Sequence, residues 1–467
     1  MQVKKLRFAA IALASALIVT PVTSLAESLS DALVSAYRTS GLLDQQRALL
    51  RVKDEDVAVA VAGLRPVINY ALNAGWTATE IGGTVTTVTN ASATLSASFT
   101  IYDFGRTDKR IELARENVMM TRDMLMGVEQ QVLMRAVSAF LSVRSAHETA
   151  LLQENNVRLI TEELRAARDR FDVGEITMTD VSLAEARLAA AKSAEAAARG
   201  QLMVAREEYK AAIGHYPNGL QVPPRVPMTA KTLDEAKALA RARHPDVLSA
   251  KRAVTVAELA VAISKTSMLP TVSADAGLTR SLSSAGPPTP SDSSRATVGV
   301  SITGPIYQGG KLSALYRQSM AQAEAAKAGL HIAVQGVEQA VANAWAQLAI
   351  AQASIEATDR QIRASRVALR GAREELALGA RTTLEVLNFE QDLLDAQAAR
   401  ISAESDQYRA VYTLLSSMGL LTAEHLGLGI ATYDPEAYYN AVQGAPVHLV
   451  SPQGERLDAV LEALGRK

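Results

Sequence analysis

The sequence predicts a mixed fold of long α-helices and transmembrane β-strands, written twice in one chain. Three observations carry this expectation: an internal tandem duplication, two pairs of segments with alternating polarity, and two long proline-free stretches of helical period. Gly174 and Gly379, Tyr102 and Tyr307, and Gly214 and Gly419 are each separated by 205 positions (379 − 174, 307 − 102, 419 − 214). Pro66 and Pro270, and Ser28 and Thr232, are separated by 204, so one residue was gained or lost between Pro66 and Tyr102. The copies occupy residues 27–214 and 232–419, with a linker at 215–231 and a tail at 420–467 outside the duplication. A long repeat of this kind suggests one architecture in which each copy closes its apolar surfaces on its neighbours.

The N-terminus reads as an export signal over residues 1–26: Lys4, Lys5 and Arg7, an apolar run at 8–19, then Ser24, Leu25 and Ala26 as a small-residue cleavage site. About 20 apolar residues are needed to span a bilayer as a helix, and no other stretch is apolar enough, so a membrane span must be made of strands.

Residues 28–64 form the first helical segment, with Ser28 and Asp31 as N-terminal caps and Pro66 as a stop; residues 232–268, stopped by Pro270, repeat it. His244-Pro245 divides the second copy into a short and a longer helix, and Gly41 is placed to divide the first. After each proline the period changes to two. Ile68, Tyr70, Leu72, Ala74 and Trp76 alternate with polar or small residues, and Leu95, Ala97 and Phe99 alternate with Ser96, Ser98 and Thr100. In the second copy Val298, Val300 and Ile302 alternate with Thr297, Gly299, Ser301 and Thr303. Each copy is thus expected to carry one hairpin, at 66–102 and 270–306, with strands of about 10 to 13 residues and polar tips at 79–89 and 281–294. Soluble hairpins half-buried on a core would show the same alternation; the export signal and the helices that follow favour the membrane. Trp76 and Tyr70 suit a membrane interface, and Tyr102 and Tyr307 read as packing residues at the junction with the helices.

Long helical hairpins follow at 105–213 and 310–418. Val132, Ala136, Ala139 and Val143 belong to an apolar seam with steps of three and four, repeated by Val337, Val341, Ala344 and Leu348. A helix of about 67 residues would be about 100 Å long. The return helices, 177–213 and 382–418, match that length only when each is stacked end to end with the helix before Pro66 or Pro270. Four strands cannot close a barrel, which needs about eight, and no sheet edge stays open in hydrocarbon. Several chains must therefore pool strands.

Composition narrows the function. The net charge is −1, with basic residues dispersed among acids, which disfavours nucleic acid. Cysteine is absent and the six histidines lack ligand spacing, so no metal centre or cofactor is expected. Aromatic residues make up 4%, which favours close helix packing through alanine. No nucleophile–base constellation or phosphate loop appears, so an enzyme is not expected.

The turns between the long and return helices are the most informative local motifs. Gly174 and Gly379 suit a left-handed helix end, and Thr177 and Thr382 suit the caps of the next helices. Asp180, Arg381 and Glu385 stand out as charges that capping was not expected to require.

These residues resemble the TolC family of outer-membrane efflux proteins over about 27–420. The carriers are Ser28-Leu29-x-Asp31-Ala32-Leu33, Leu64-x-Pro66, Tyr102-Asp103-Phe104-Gly105, Tyr307-Gln308-Gly309-Gly310 and the two hairpin turns. The resemblance implies a homotrimer: a 12-stranded β-barrel, four strands per chain, in the lipid of a Gram-negative outer membrane, continued into the periplasm by a long α-helical barrel. It implies a passive export conduit, opened when a periplasmic adapter and an inner-membrane pump dock, for drug efflux or type I secretion. At matching positions, Gly174, Thr177, Val181, Gly379, Thr382, Val386 and Leu387 would form the tips gripped by the adapter. Asp180, Arg381 and Glu385 would hold the entrance shut, Arg381 pairing across helices with the Asp180 region and Glu385 repeating as an acidic ring. Two positions depart from the family pattern: Asn388 replaces a second acidic ring, and Leu376 an aromatic. The alternative is a periplasmic adapter-type coiled-coil protein without a pore, which would carry one helical hairpin flanked by β-rich domains.

Overall fold

The structure is a computed structural model that describes residues 26–224, 229–284 and 291–447. The export signal, the prolines of the second hairpin tip (Pro287, Pro288, Pro290) and the end of the tail lie outside the described residues.

The helix before the first strand is two helices, α1 (Leu29–Thr39) and α2 (Gly41–Ala62), with Ser40 ending one and capping the next through its side chain. The second copy has α5 (Leu233–Arg243) and α6 (Pro245–Thr266), divided at His244-Pro245. Between these pairs lie the first strands and hairpin: β1 (Val67–Ile81), β2 (Thr84–Tyr102), α3 (Arg106–Asp172) and α4 (Met178–Ile213). The second set is β3 (Thr271–Ser284), β4 (Ser291–Thr303), α7 (Lys311–Ala377) and α8 (Thr383–Ser417). A short α9 (Pro435–Val442) follows in the tail. Among the described residues no helix is long and apolar enough to cross a membrane.

Both long helices have 67 residues, about 100 Å at the helical rise. Their seams are packed: Val132, Ala136, Ala139 and Val143 are buried on α3, and Val337, Val341, Ala344 and Leu348 on α7. The return helices end where the sequence suggested stacking. Thr39 of α1 donates its hydroxyl to the Ile213 carbonyl of α4 at 3.0 Å. At the end of α8, a Cβ on Gly419 would lie 2.7 Å from the His244 Cα, so α8 abuts the α5–α6 joint. The largest cluster gathers at this level, where Phe140, Tyr209, Leu133, Val247, Val341 and Met418 are buried together.

β1, β2 and β3 exceed expectation, with 15, 19 and 14 residues, running into the segments expected as loop tips, while β4 has 13. They also do not stay as two separate hairpins. β2 pairs antiparallel with β3, giving one sheet in the order β1-β2-β3-β4. The register places Tyr70 beside Leu95, Leu95 beside Leu278, Ala276 beside Val298 and Ala274 beside Val300, so the apolar positions of all four strands share one face. None of the described residues covers it: Tyr70 is 81% exposed and Val298 90%. The opposite face carries hydroxyl pairs, among them Thr94 with Thr279 at 3.2 Å and Ser273 with Ser301 at 2.9 Å. Tyr102 and Tyr307, expected as packing residues, are both exposed; the Tyr102 ring lies against the neighbouring Phe104 ring, centroids 4.8 Å apart.

Candidate functional site

The two hairpin tips are built alike. Gly174, at φ 82°, and Gly379, at φ 73°, each take the left-handed conformation. Gly174 N–H donates to the Phe171 carbonyl and Glu175 N–H to Arg170, both at 2.9 Å; Gly379 N–H donates to Leu376 at 3.0 Å and Ala380 N–H to Glu375 at 2.9 Å. This double closure satisfies the last carbonyls of α3 and α7.

Thr177 and Thr382 then cap α4 and α8, and here one expectation is corrected. Asp180 and Glu385 are themselves capping residues. Thr177 donates its backbone N–H (3.0 Å) and hydroxyl (2.7 Å) to Asp180 Oδ2, and Thr382 donates both groups to Glu385 Oε2 at 3.0 Å. Each carboxylate faces the positive end of its helix, so N-terminal electrostatics explain its charge. The backbone N–H of Thr382, then its hydroxyl and Arg381, hold the Glu385 carboxyl below its ordinary range.

Arg381 does not reach Asp180 within the chain. It pairs with Glu375 at the end of α7 and with Glu385 at 3.3 Å, and its guanidinium lies 5.4 Å from the Phe389 ring centroid. It therefore ties the two arms of its own hairpin. Three expected tip residues are also interior. Val181 packs with Leu164 and Ala167, Val386 with Leu369 and Ala372, and Leu387 with Ile160 and Ala191. Burial removes them from direct contact with a partner in this conformation, whereas Gly174, Thr177, Gly379 and Thr382 are exposed.

Near the tips, the side chains that bridge the two hairpins are others. Arg187 of α4 donates to Asn388 Oδ1 of α8 at 2.9 Å, and Arg373 of α7 donates to Glu163 Oε1 of α3 at 3.2 Å. Arg373 also donates to Glu390 at 2.6 Å. Glu390 is only 5% exposed, and burial raises its pKa against the pull of Arg373. Asn388, one of the two departures from the family pattern, is thus the acceptor of a link between hairpins. No local motif marks these residues. A second feature had a sequence signal: Val173 and Leu378, immediately before the turn glycines, are 71% and 85% exposed. Capping does not require an apolar residue there, and the duplication repeats it.

Comparison with known proteins agrees with this geometry. The family model for outer membrane efflux proteins matches residues 33–215 and 238–420. The outer membrane efflux protein BepC of Brucella suis is 36% identical over 449 residues, covering 96% of this chain and 97% of that protein. The alkaline protease secretion protein AprF of Pseudomonas aeruginosa is 24% identical over 391 residues, 80% of this chain and 81% of the relative. Among solved structures, the CmeC outer membrane channel of Campylobacter jejuni superposes with a TM-score of 0.73 at 15% identity, covering 84% of this chain and 86% of CmeC. The family model matches both copies of the duplication and a relative 36% identical spans nearly the whole chain, so this chain belongs to the outer membrane efflux proteins.

Proposed function

We propose that three copies of this chain form the outer-membrane conduit of a tripartite efflux or type I secretion system. Export through it would be passive, and docking of a periplasmic adapter and an inner-membrane pump would open it. The observation that carries this reading is the sheet: its apolar face is bare and, among the described residues, β1 and β4 each pair on one side alone. In hydrocarbon both features demand closure with further chains, and three copies supply twelve strands, enough for a channel. The lateral helix faces support the same assembly. Ile332 and Val367 of α7 and Met203 and Val204 of α4 are exposed apolar residues that the described residues leave uncovered. A poreless adapter-type protein fits less well, since both hairpins hang from a single membrane-suited sheet.

At the entrance, the exposed tips with Val173 and Leu378 offer the adapter a small apolar grip. Closure is assigned to the links between hairpins, Arg187–Asn388 and Arg373–Glu163, with Arg381, Asp180 and Glu385 keeping each tip rigid. Exposed links are worth under about 1 kcal/mol each, so threefold repetition gives a bias that a docked partner can overcome. Purified protein in detergent should sediment as a trimer and conduct ions in planar bilayers. The double variant Arg187→Ala, Glu163→Ala leaves the Arg373–Glu390 pair intact and should raise single-channel conductance. The variant Arg381→Ser, Asp180→Ala should do so less. A folded monomer would end the conduit reading; unchanged conductance in the first double variant would remove these links as the latch.

A further inference from the structure

Away from the tips, at the level of the α1–α2 and α5–α6 joints, the chain encloses a cleft of about 800 Å³. Its floor is α3, with Arg122, Leu125 and Met126. One wall carries Tyr37, Leu43 and Arg47, and the other Arg243 and Leu248 beside the α5–α6 joint. The rim is the C-terminal segment, which contributes Leu420 and Tyr433. The volume falls within the range of small-molecule sites, roughly 300–1,000 Å³, and the mixture of apolar lining with a few polar groups is typical of them.

The polar groups share one character. Arg47 is 6% exposed, held between the rings of Tyr37 and Tyr433 with its guanidinium 5.1 and 5.3 Å from their centroids. Its Nε–H and the Nε–H of Arg122 are buried without acceptors, and the Tyr433 hydroxyl, held on its oxygen by Arg51, has no acceptor for its own proton. Native structures pair nearly all such atoms, so three unpaired donors around one cleft call for an acceptor. Arg243 adds an exposed cation that makes no ion pair or hydrogen bond among the described residues. Two carboxylates also line the cleft. Glu129 accepts the Ala423 N–H at 2.7 Å and is pushed toward its neutral form by burial, and Glu424 lies beside His425 at the rim.

We propose that this cleft is a binding site for a small organic anion, its carboxylate or phosphate head taken by the unpaired donors and Arg243 and its apolar body lying on Leu125, Met126 and Leu248. Guanidinium groups are suited to both heads. The site does not rest on the conduit reading, because every group in it comes from one chain.

The test uses the full chain in lipid nanodiscs, where no free detergent competes, with four probes sharing one ring system: naphthoate, naphthyl phosphate, naphthylmethylammonium and naphthalenemethanol. Calorimetric titration should find saturable binding of both anions, at least about tenfold tighter than the cation or the alcohol, the factor expected for a charge-assisted hydrogen bond. A preference for naphthyl phosphate over naphthoate assigns the natural ligand to phosphate esters, and the reverse assigns it to carboxylates. Arg243→Ala and Tyr433→Phe remove, respectively, an unpaired cation and a hydroxyl while leaving the packed rings in place. Each should weaken anion binding about five- to tenfold with helical circular dichroism unchanged. Equal affinity for all four probes, no saturable binding, or variants that bind like the wild type would overturn the proposal.

Discussion

Gly379 and Gly419 share a left-handed backbone, at φ 73° and 77°, yet they do different work. A Cβ on Gly379 would meet nothing within 4 Å, whereas on Gly419 it would press on the backbone of His244 and Arg243 at 2.7 and 2.8 Å. Alanine at Gly379 therefore meets backbone strain alone, about 1–2 kcal/mol. At Gly419 it must also push α8 away from the α5–α6 joint, so Gly419→Ala should lower the thermal unfolding midpoint clearly more than Gly379→Ala. Equal losses would mean that the joint yields freely. The turn glycines and threonines were legible in the sequence because capping is local chemistry. The capping role of Asp180 and Glu385 was written there too, in the threonine–acid spacing of three, although capping was expected to need only the glycine and threonine. Arg373 and Glu163 were not legible, since they lie 210 positions apart and meet only when the two hairpins pack.

At the scale of elements, proline-free length and the apolar seam were enough to find α3 and α7. The pairing of β2 with β3 was not, because either hairpin alone satisfies its own alternation. The tail was the least legible part, since its contacts join aromatic rings to distant cations. Arg51 lies 5.5 Å from the Tyr438 ring and Arg122 5.4 Å from the Tyr439 ring, and Arg122 also donates to the Pro435 carbonyl at 3.1 Å. These contacts bind α9 as a strap along α2. Asp54 of α2 is fully buried, and neither of its carboxylate oxygens has a hydrogen-bond partner. Burial outweighs the attraction of Arg122 and Arg51, and with Glu55 nearby the carboxyl is pushed up to about 7. The folded chain thus holds a proton that the unfolded chain releases near pH 4. The resulting stability is complete below about pH 4 and is lost as pH rises toward and through 7, by at most about 4 kcal/mol. Amide protection factors in residues 435–442, which take out the intrinsic rise of exchange with pH, should fall between about pH 4 and 7. Asp54→Asn should flatten that dependence, and a variant that retained it would exonerate Asp54.

The whole molecule is decided by which surfaces one chain leaves uncovered. Residues 67–102 and 271–303 build a sheet too small to close and too apolar on one face to stand in water, while α4 and α7 present apolar residues at the flanks of the helical wall. One assembly answers both needs at once. The apolar face even carries a marker near its outer end: Arg280 and Asp292, on the same face as Leu278 and Val298, neutralise each other through a two-bond contact, the shorter at 2.6 Å. Pairing offsets the cost of placing these two charges among apolar neighbours, while Glu80, on the same face further toward the hairpin tip, stands beyond them. Arginine at Leu95 or Val300 should therefore cost about 2–4 kcal/mol if those positions lie near the bilayer midplane, while arginine at Ser96 or Ser301 should cost far less. The readout is the fraction of heat-resistant trimer recovered from outer membranes. Loss at Leu95 and Val300 with retention at Ser96 and Ser301 fixes which face meets lipid. The opposite pattern would turn the barrel inside out, and equal tolerance at all four positions would take the sheet out of the membrane altogether.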